Sequence, residues 1–476
     1  MKKWKYVYVI LFLSFCLFPL AGLPFSTAQG SSENRELASF PSVRTEGGAA
    51  NLQFLSEAGD YFQEHFAFRD QLVTLHARVM DLFGTSADDG VIRGRDGWLY
   101  YMDSLKDYQG TSALSDRELY NIAHSFRMAQ DYLASRQIRF LYVPVPNKNT
   151  LYGENMPYYY DYKVSQEHNL LRLYPFLDAE NVAWLDLYSL LKEQPGTLYH
   201  VKDSHWTSEG AALAADAIMD ALGKEHDAFT DETFTVRQDY EGDLETMLHP
   251  WHPDPDSEVY YDRAFTYQYV EEIDSTFDPK INTVNEQKTG DLIMYRDSFG
   301  NALVPFIAEE YRNAYFSRTV PYPLTDLDKY PADTVIMERV ERFLPDMAEH
   351  PSIIPALRVP GLADEQVLDS FTVSFEQEEG PCSFTRANPY LKLEGFVDDE
   401  ALPAGTQIYL RLNGEVLFEA IPTTVVRDDV RHPCGYTLYL SGNPEEEPAP
   451  VQVEVLTGQV MAPAAEAPVS QAAAAG

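Results

Sequence analysis

Four short apolar runs in the middle of the chain restrict its fold more than any other feature. IRFLYVPVP (138–146), VAWLDL (182–187), DLIMYR (291–296) and DTVIMERV (333–340) are dominated by aliphatic and aromatic residues, as strands buried on both faces are. Helical stretches lie among them: residues 115–136, TSEGAALAADAIMDALGKE (207–225) and GNALVPFIAEEYRN (300–313). The second opens with Thr-Ser, a capping signal, and has an alanine-rich interior. Strand–helix alternation predicts a mostly parallel sheet covered on both faces, a three-layer α/β/α body. Open sheets of this kind place ligands at the carboxyl ends of their strands, so the loops after these runs are where chemistry is expected.

Beyond residue 367 the period changes to two. FTVSFEQ, YLKLEGFV, TQIYLRLNGEVLFEA, GYTLYLSG and VQVEVL alternate apolar and polar residues between turn signals. They predict an antiparallel, β-sandwich-like accessory domain over 367–460. The Ala- and Pro-rich residues 461–476 read as a disordered tail. Two domains suit a chain of 476 residues, longer than one core usually serves. The α/β body is assigned to 52–366, beginning with an amphipathic helix to Phe83 that carries Phe62, Phe66, Leu72, Leu75, Val79 and Met80. A hairpin, VIRGRDGWLYY (91–101), comes next.

The amino terminus argues for export. Lys2, Lys3 and Lys5 precede an apolar run from Tyr6 to about Phe25, so residues 1–28 read as a signal peptide or a membrane anchor, with a polar linker over 29–51. Leading lysines place the remainder of the chain outside the cytoplasm. The expected location is secreted, periplasmic, or anchored at the outer face of the cytoplasmic membrane. In that setting Cys382 and Cys434 either form a disulfide or remain two buried thiols. With 36 Lys and Arg against 74 Asp and Glu, the formal charge of −38 would repel a polyphosphate backbone and argues against a nucleic-acid partner.

Two loops carry residues suited to covalent catalysis. The strand DLIMYR runs into Asp297-Ser298-Phe299-Gly300 and then a helix, placing a hydroxyl where helix N–H groups favour developing negative charge. Asp203-Ser204-His205-Trp206 precedes another helix and offers a base with its own orienting carboxylate. Read alone, each is equally a helix cap; together on one sheet they complete a triad of Ser298, His205 and Asp203. A metal is not expected, because His200, Asp203 and His205, or His249, His252 and Asp254, lack a recognised ligand spacing. Trp98, Tyr100, Tyr152, Tyr158 and Trp206 either stack on sugar rings or pack the core.

With those residues in view, the chain resembles the family that contains the alginate O-acetylation proteins AlgX and AlgJ and the related DHHW proteins. The markers stand in family order: NRELASFP (34–41), FAFRD (66–70), VIRGRDGWLYY (91–101), VPVPNK (143–148), DSHWTSEGA (203–211), GDLETML (242–248), RDSFGNAL (296–303) and VIMERVERF (335–343). The resemblance implies a circularly permuted SGNH-hydrolase-like domain in which Ser298 is the nucleophile, His205 the base and Asp203 its partner. It implies serine-dependent O-acyl transfer to, or removal from, a cell-envelope or exported polysaccharide, without a cofactor. A membrane-bound O-acyltransferase is the implied acyl-donor partner. The chain departs from the family in three places. Ser204 stands where the DHHW group has a first His, Arg296 replaces the usual Gly before Asp-Ser, and the Asn of an SGNH oxyanion hole has no counterpart. Asn301, Arg339, Arg296 and Trp206 are the candidates for substrate or oxyanion contact. The alternative is a non-catalytic envelope scaffold or glycan-binding protein.

Overall fold

The computed structural model describes residues 6–10, 12–14, 17–18, 38–45, 47–165, 167–377, 380, 382–397, 402–442 and 448–461. Most of the expected leader and all but the first residue of the expected tail lie outside these. Among the described residues no helix is long and apolar enough to cross a membrane.

The hairpin at 91–101 forms as β1 (Val91–Arg93) and β2 (Leu99–Tyr101). The central sheet has the order β3 (Arg139–Val145), β10 (Thr334–Val340), β8 (Asp291–Tyr295), β9 (Asn313–Ser317), β7 (Lys280–Val284) and β6 (Gln268–Tyr269). The first four run parallel, and β7 and β6 close one edge antiparallel. Because side chains alternate across a strand, β10 sends Ile336 and Val340 to one face and Val335 and Met337 to the other. Neighbouring β8 does the same with Leu292 and Met294 against Ile293 and Tyr295. Two cores result, one on each face, which is why these runs carry apolar residues throughout. Helices α5 (Ser208–Ala221) and α7 (Gly300–Glu310) cover the first face. The second is covered by α3 (Asp116–Ser135), α4 (Asn169–Ala179) and α8 (Leu344–Glu349). A reciprocal Ser115–Glu118 cap starts α3. A separate antiparallel ribbon pairs β4 (Phe234–Tyr240) with β5 (Asp256–Tyr261), and the short helix α6 (Asp243–Leu248) lies between them in sequence.

Three local expectations are corrected. VAWLDL is not a strand: Trp184 makes a single bridge to Tyr142, and Asp186 accepts the Ser189 N–H to start a short helix at Leu187. The fourth parallel strand is β9 instead, and the helix before it ends at Glu310 rather than 313. The amphipathic helix over 52–83 is two, α1 (Phe54–His65) and α2 (Arg69–Asp81). They part where Phe66 is extended and Phe68 adopts a left-handed φ of 66°, which turns Ala67 into a buried position.

The carboxyl-terminal region is two antiparallel sheets. One has the order β11 (Leu357–Arg358), β16 (Val416–Glu419), β15 (Tyr409–Leu412), β19 (Val451–Val460) and β12 (Leu362–Val373). The other is β13 (Cys382–Ala387), β14 (Tyr390–Phe396), β18 (Val430–Ser441) and β17 (Ile421–Arg427). A core including Leu393, Leu410, Tyr436, Leu438 and Val455 lies between them. Its strands begin before residue 367, and β13 and β17 add to the runs legible in the sequence. Cys382 and Cys434 are both buried in this core and are not joined by a disulfide. The region docks on α3: Arg431 pairs with Glu118 at 2.7 Å, and the Asn121 amide donates to the Pro433 carbonyl at 2.7 Å.

Candidate active site

The turn after β8 is built by buried charge. Asp297 accepts the Phe299 N–H through Oδ1 and the Val340 N–H through Oδ2, each at 2.8 Å, so it joins the end of β8 to the end of its neighbour β10. Its own N–H donates to Glu338 Oε2 at 3.0 Å. Burial, then the Asp297 charge, pushes the Glu338 carboxyl well above its ordinary value. Gly300 follows because nothing larger fits. A Cβ there would lie 2.5 Å from Arg296 Cβ and 2.8 Å from Glu338 Oε2. Ser298 is thereby held at the start of α7, at the carboxyl end of a central parallel strand.

The second loop precedes α5, which Thr207 caps by accepting the Gly210 N–H. Trp206 is buried and its indole N–H donates to the Phe299 carbonyl at 3.1 Å, which bolts this loop to the first across 93 residues of sequence. His205 Nε2 lies 2.8 Å from Ser298 Oγ, and His205 Nδ1 lies 2.8 Å from Asp203 Oδ1. Asp203 accepts further from the backbone N–H groups of His205 and Asp243, at 2.7 Å each, and from the Tyr240 hydroxyl at 3.3 Å. The three residues read from the sequence as a triad are therefore brought together in hydrogen-bonded order.

Their electrostatics follow from burial and pairing. Burial raises the Asp203 carboxyl, but the His205 charge and hydrogen bond outweigh it and hold Asp203 far below the usual carboxylate range. Burial lowers the His205 imidazole, yet Asp203 and then Asp243 leave it raised overall. Asp243 sits 3.5 Å from His205 Nδ1, and burial together with the Asp203 charge pushes its own carboxyl up to about 6. Asp203, His205 and Asp243 place possible ligand atoms within 4.8 Å of one another, a spacing a cation would accept. Their hydrogen bonding argues otherwise. Asp243 takes the Ser204 N–H and hydroxyl at 2.8 and 2.6 Å, and Asp203 takes the donors named already, so hydrogens point at both carboxylates.

The four further sequence candidates have partners of their own. Arg296 is fully buried, donates to the carbonyls of Thr276 and Asp278 at 3.0 and 2.9 Å, and also donates to Asn301 Oδ1, which fixes that amide without engaging its N–H groups. Burial lowers the Arg296 pKa to about 10, which leaves it charged. Arg339 pairs with Asp346 at 2.9 Å and lies over the Phe343 ring. Trp206 has no exposed face for a sugar. Trp98 and Tyr100 are buried too, and their rings flank the Lys148 ammonium at 5.0 and 5.2 Å; Tyr158 is exposed.

Lys148 is among the residues that sequence reasoning missed. Its ammonium donates to the carbonyls of Leu99, Val201 and Asp203 at 2.6, 2.8 and 2.8 Å, tying β2 to the Asp203 loop. Burial pulls its pKa down to about 7 against the opposing charges of Asp203, Asp243 and Asp256. Asp243 and Arg342 were missed likewise. All three stand inside the motifs VPVPNK, GDLETML and VIMERVERF, but the groups around them come from far away in sequence.

Part of the chain is similar to known proteins. Residues 91–284 match the family described as SGNH hydrolase-like domain, acetyltransferase AlgX. That span includes Asp203 and His205 and ends before Ser298. No curated protein sequence matches the chain. Bacillus cereus PatB1 is a similar solved structure at 17% identity and TM-score 0.44, covering 54% of this chain and 97% of its own. The O-acetyltransferase domain of Pseudomonas putida AlgJ has 20% identity and TM-score 0.37, over 54% of this chain and 92% of its own. A DHHW family protein from Eubacterium siraeum has 17% identity and TM-score 0.38, over 48% and 85%. Residues 91–284 are thus similar to the SGNH hydrolase-like domain of acetyltransferase AlgX, in keeping with the resemblance of the motifs.

Proposed function

We propose that the protein is an extracytoplasmic serine-dependent O-acyltransferase or esterase acting on a cell-envelope or exported polysaccharide. The observation that carries this reading is the unbroken relay from Ser298 Oγ through His205 to Asp203, with 2.8 Å at both steps. His205 Nε2 takes the Ser298 proton as Oγ attacks the carbonyl carbon of an O-acyl donor. The tetrahedral adduct collapses, the donor alkoxide leaves with that proton, and an acyl-Ser298 ester remains. A glycan hydroxyl then attacks the ester, His205 taking its proton and returning it to Ser298 Oγ; water in that place gives hydrolysis. Asp203 fixes the Nδ1–H tautomer and stabilises the imidazolium.

The acetyltransferase description of the matched family supports acetyl as the acyl group. The leading lysines and apolar run support export, with a membrane-bound O-acyltransferase as the supplier of acyl groups. Ser298→Ala is expected to cut turnover of an activated acetate ester by about 10³-fold or more while leaving the melting temperature unchanged. Mass spectrometry should find an acyl adduct on Ser298 in the parent protein. Turnover unaffected in the Ala variant would end the covalent reading.

A further inference from the structure

A serine acyl-transfer site needs a donor for the oxyanion, and the two arginines first considered for that task are engaged elsewhere. Arg296 donates to Asn301 Oδ1 and to two carbonyls, and Arg339 is paired with Asp346. Arg342 is different. It lies in the one-turn helix Glu341–Phe343 directly after β10, the strand paired with β8, so it leaves the sheet beside Ser298. Among the described residues its guanidinium makes no hydrogen bond and no ion pair, and its Nε is buried without a partner. It lies 5.5 Å from the rings of Tyr101 and Phe299 and 5.1 Å from that of Phe343. The Phe299 ring also supports His205, with centroids 4.8 Å apart, and the Arg342 charge acts directly on the imidazole.

Such an arrangement is costly to keep in a chain with twice as many acidic as basic residues. The Arg342 charge acts on the buried Asp107 carboxyl without an ion pair forming among the described residues, and the guanidinium is flanked instead by aromatic faces, which hold a cation without using its N–H groups. Its directed donors are left free for the site. The Ser298 backbone N–H is likewise without a protein partner among the described residues.

We infer that Arg342 is the side-chain oxyanion donor of this site, acting with the Ser298 N–H on the acyl oxygen. This rests on the acyl-transfer reading of Ser298. As Ser298 Oγ bonds to the acyl carbon, the carbonyl π pair moves onto oxygen, and Arg342 donates hydrogen bonds to that oxygen without losing a proton. Collapse of the adduct restores the carbonyl and releases the contact. Charge of this kind, fixed in place before reaction, acts chiefly on the transition state.

The test compares Ser298→Ala, Arg342→Ala, Arg342→Gln and Arg342→Lys on a neutral activated acetate ester, with thermal melts as a check on folding. Arg342→Gln is expected to lower kcat by roughly 100-fold with little change in KM. Arg342→Lys should keep part of the rate, and free guanidinium should restore part of it to Arg342→Ala. Full kcat in a folded Arg342→Gln, with Ser298→Ala inactive, overturns this inference alone. So does a change confined to the KM of an acceptor glycan, which would make Arg342 an acceptor contact. So does equal loss in the Lys and Gln variants without guanidinium rescue, which would make the residue structural. An active Ser298→Ala would instead remove the acyl-transfer reading itself.

Discussion

The α/β body and the carboxyl-terminal sheets are built on opposite terms. In the body, Lys148, Asp203, Arg296, Asp297, Glu338 and Glu341 are buried, most of them near the carboxyl ends of β3, β8 and β10. Beyond Leu357, no buried described residue carries a charge, and the buried polar side chains there are threonines. Removing a charge from water costs several kcal/mol unless partners replace the lost solvation. The sandwich avoids that cost and gains an apolar core with two buried thiols. The body accepts it at several places, among them the strand ends where Asp297 ties β8 to β10 and Lys148 clamps three carbonyls. Fixed charge at the strand ends is what the proposed reaction would use, and the sandwich packs against α3.

The strongest way to break this contrast is to remove a clamp. Lys148→Met leaves the carbonyls of Leu99, Val201 and Asp203 without their donor, at about 1–3 kcal/mol for each buried group left unpaired. The Asp203 loop should then relax, and kcat on an acetate ester is expected to fall about 10²-fold, as for an angstrom-scale misplacement of a catalytic group. Unchanged kcat in a folded variant would mean that the buried charge serves stability alone.

A smaller effect sharpens the electrostatic side. The raised imidazole of His205 must be neutral to accept the Ser298 proton, so activity rises with pH through its pKa, and the acidic limb of kcat/KM should lie above the ordinary histidine value of about 6.5. Asp243 contributes to that elevation. Asp243→Asn removes a negative charge, lowers the imidazole pKa, and should move the limb to lower pH while the plateau changes only a few-fold. A limb that stays in place, or moves up, would show that Asp243 does not act on the base. The smallest effect on chemistry is expected in the sandwich. Leu438→Ala, at a fully buried position, should cost about 2–5 kcal/mol in denaturant unfolding yet leave kcat unchanged where the protein remains folded. A fall in kcat would couple the two regions more tightly than their contrast suggests.

Much of this was legible in the sequence because the signals are local. Three of the four apolar runs are strands, since a strand buried on both faces must be apolar throughout. The helix at Ser208 was announced by its Thr207 cap. Asp203 and His205 share one loop, and Ser298 stands at a strand–helix junction, so each was visible as a short string. VAWLDL misled because its composition suits a strand, while Asp186 had the geometry to cap a helix. Arg296 and Asn301 looked available for an oxyanion for a similar reason: a polar residue beside a nucleophile looks free until its partner is known.

The sequence by itself determined the alternation that makes the parallel sheet, the change of period that makes the antiparallel sheets, and the identity of the three residues able to relay a proton. These follow from backbone periodicity and side-chain chemistry, which act within a few residues. Only the tertiary structure decided that Trp206 fastens to Phe299, that Lys148 spans β2 and the Asp203 loop, and that the Arg342 guanidinium lies among the rings of Tyr101, Phe299 and Phe343. Hydrogen bonds and burial depend on which groups meet in space, and folding brings these together from positions tens of residues apart.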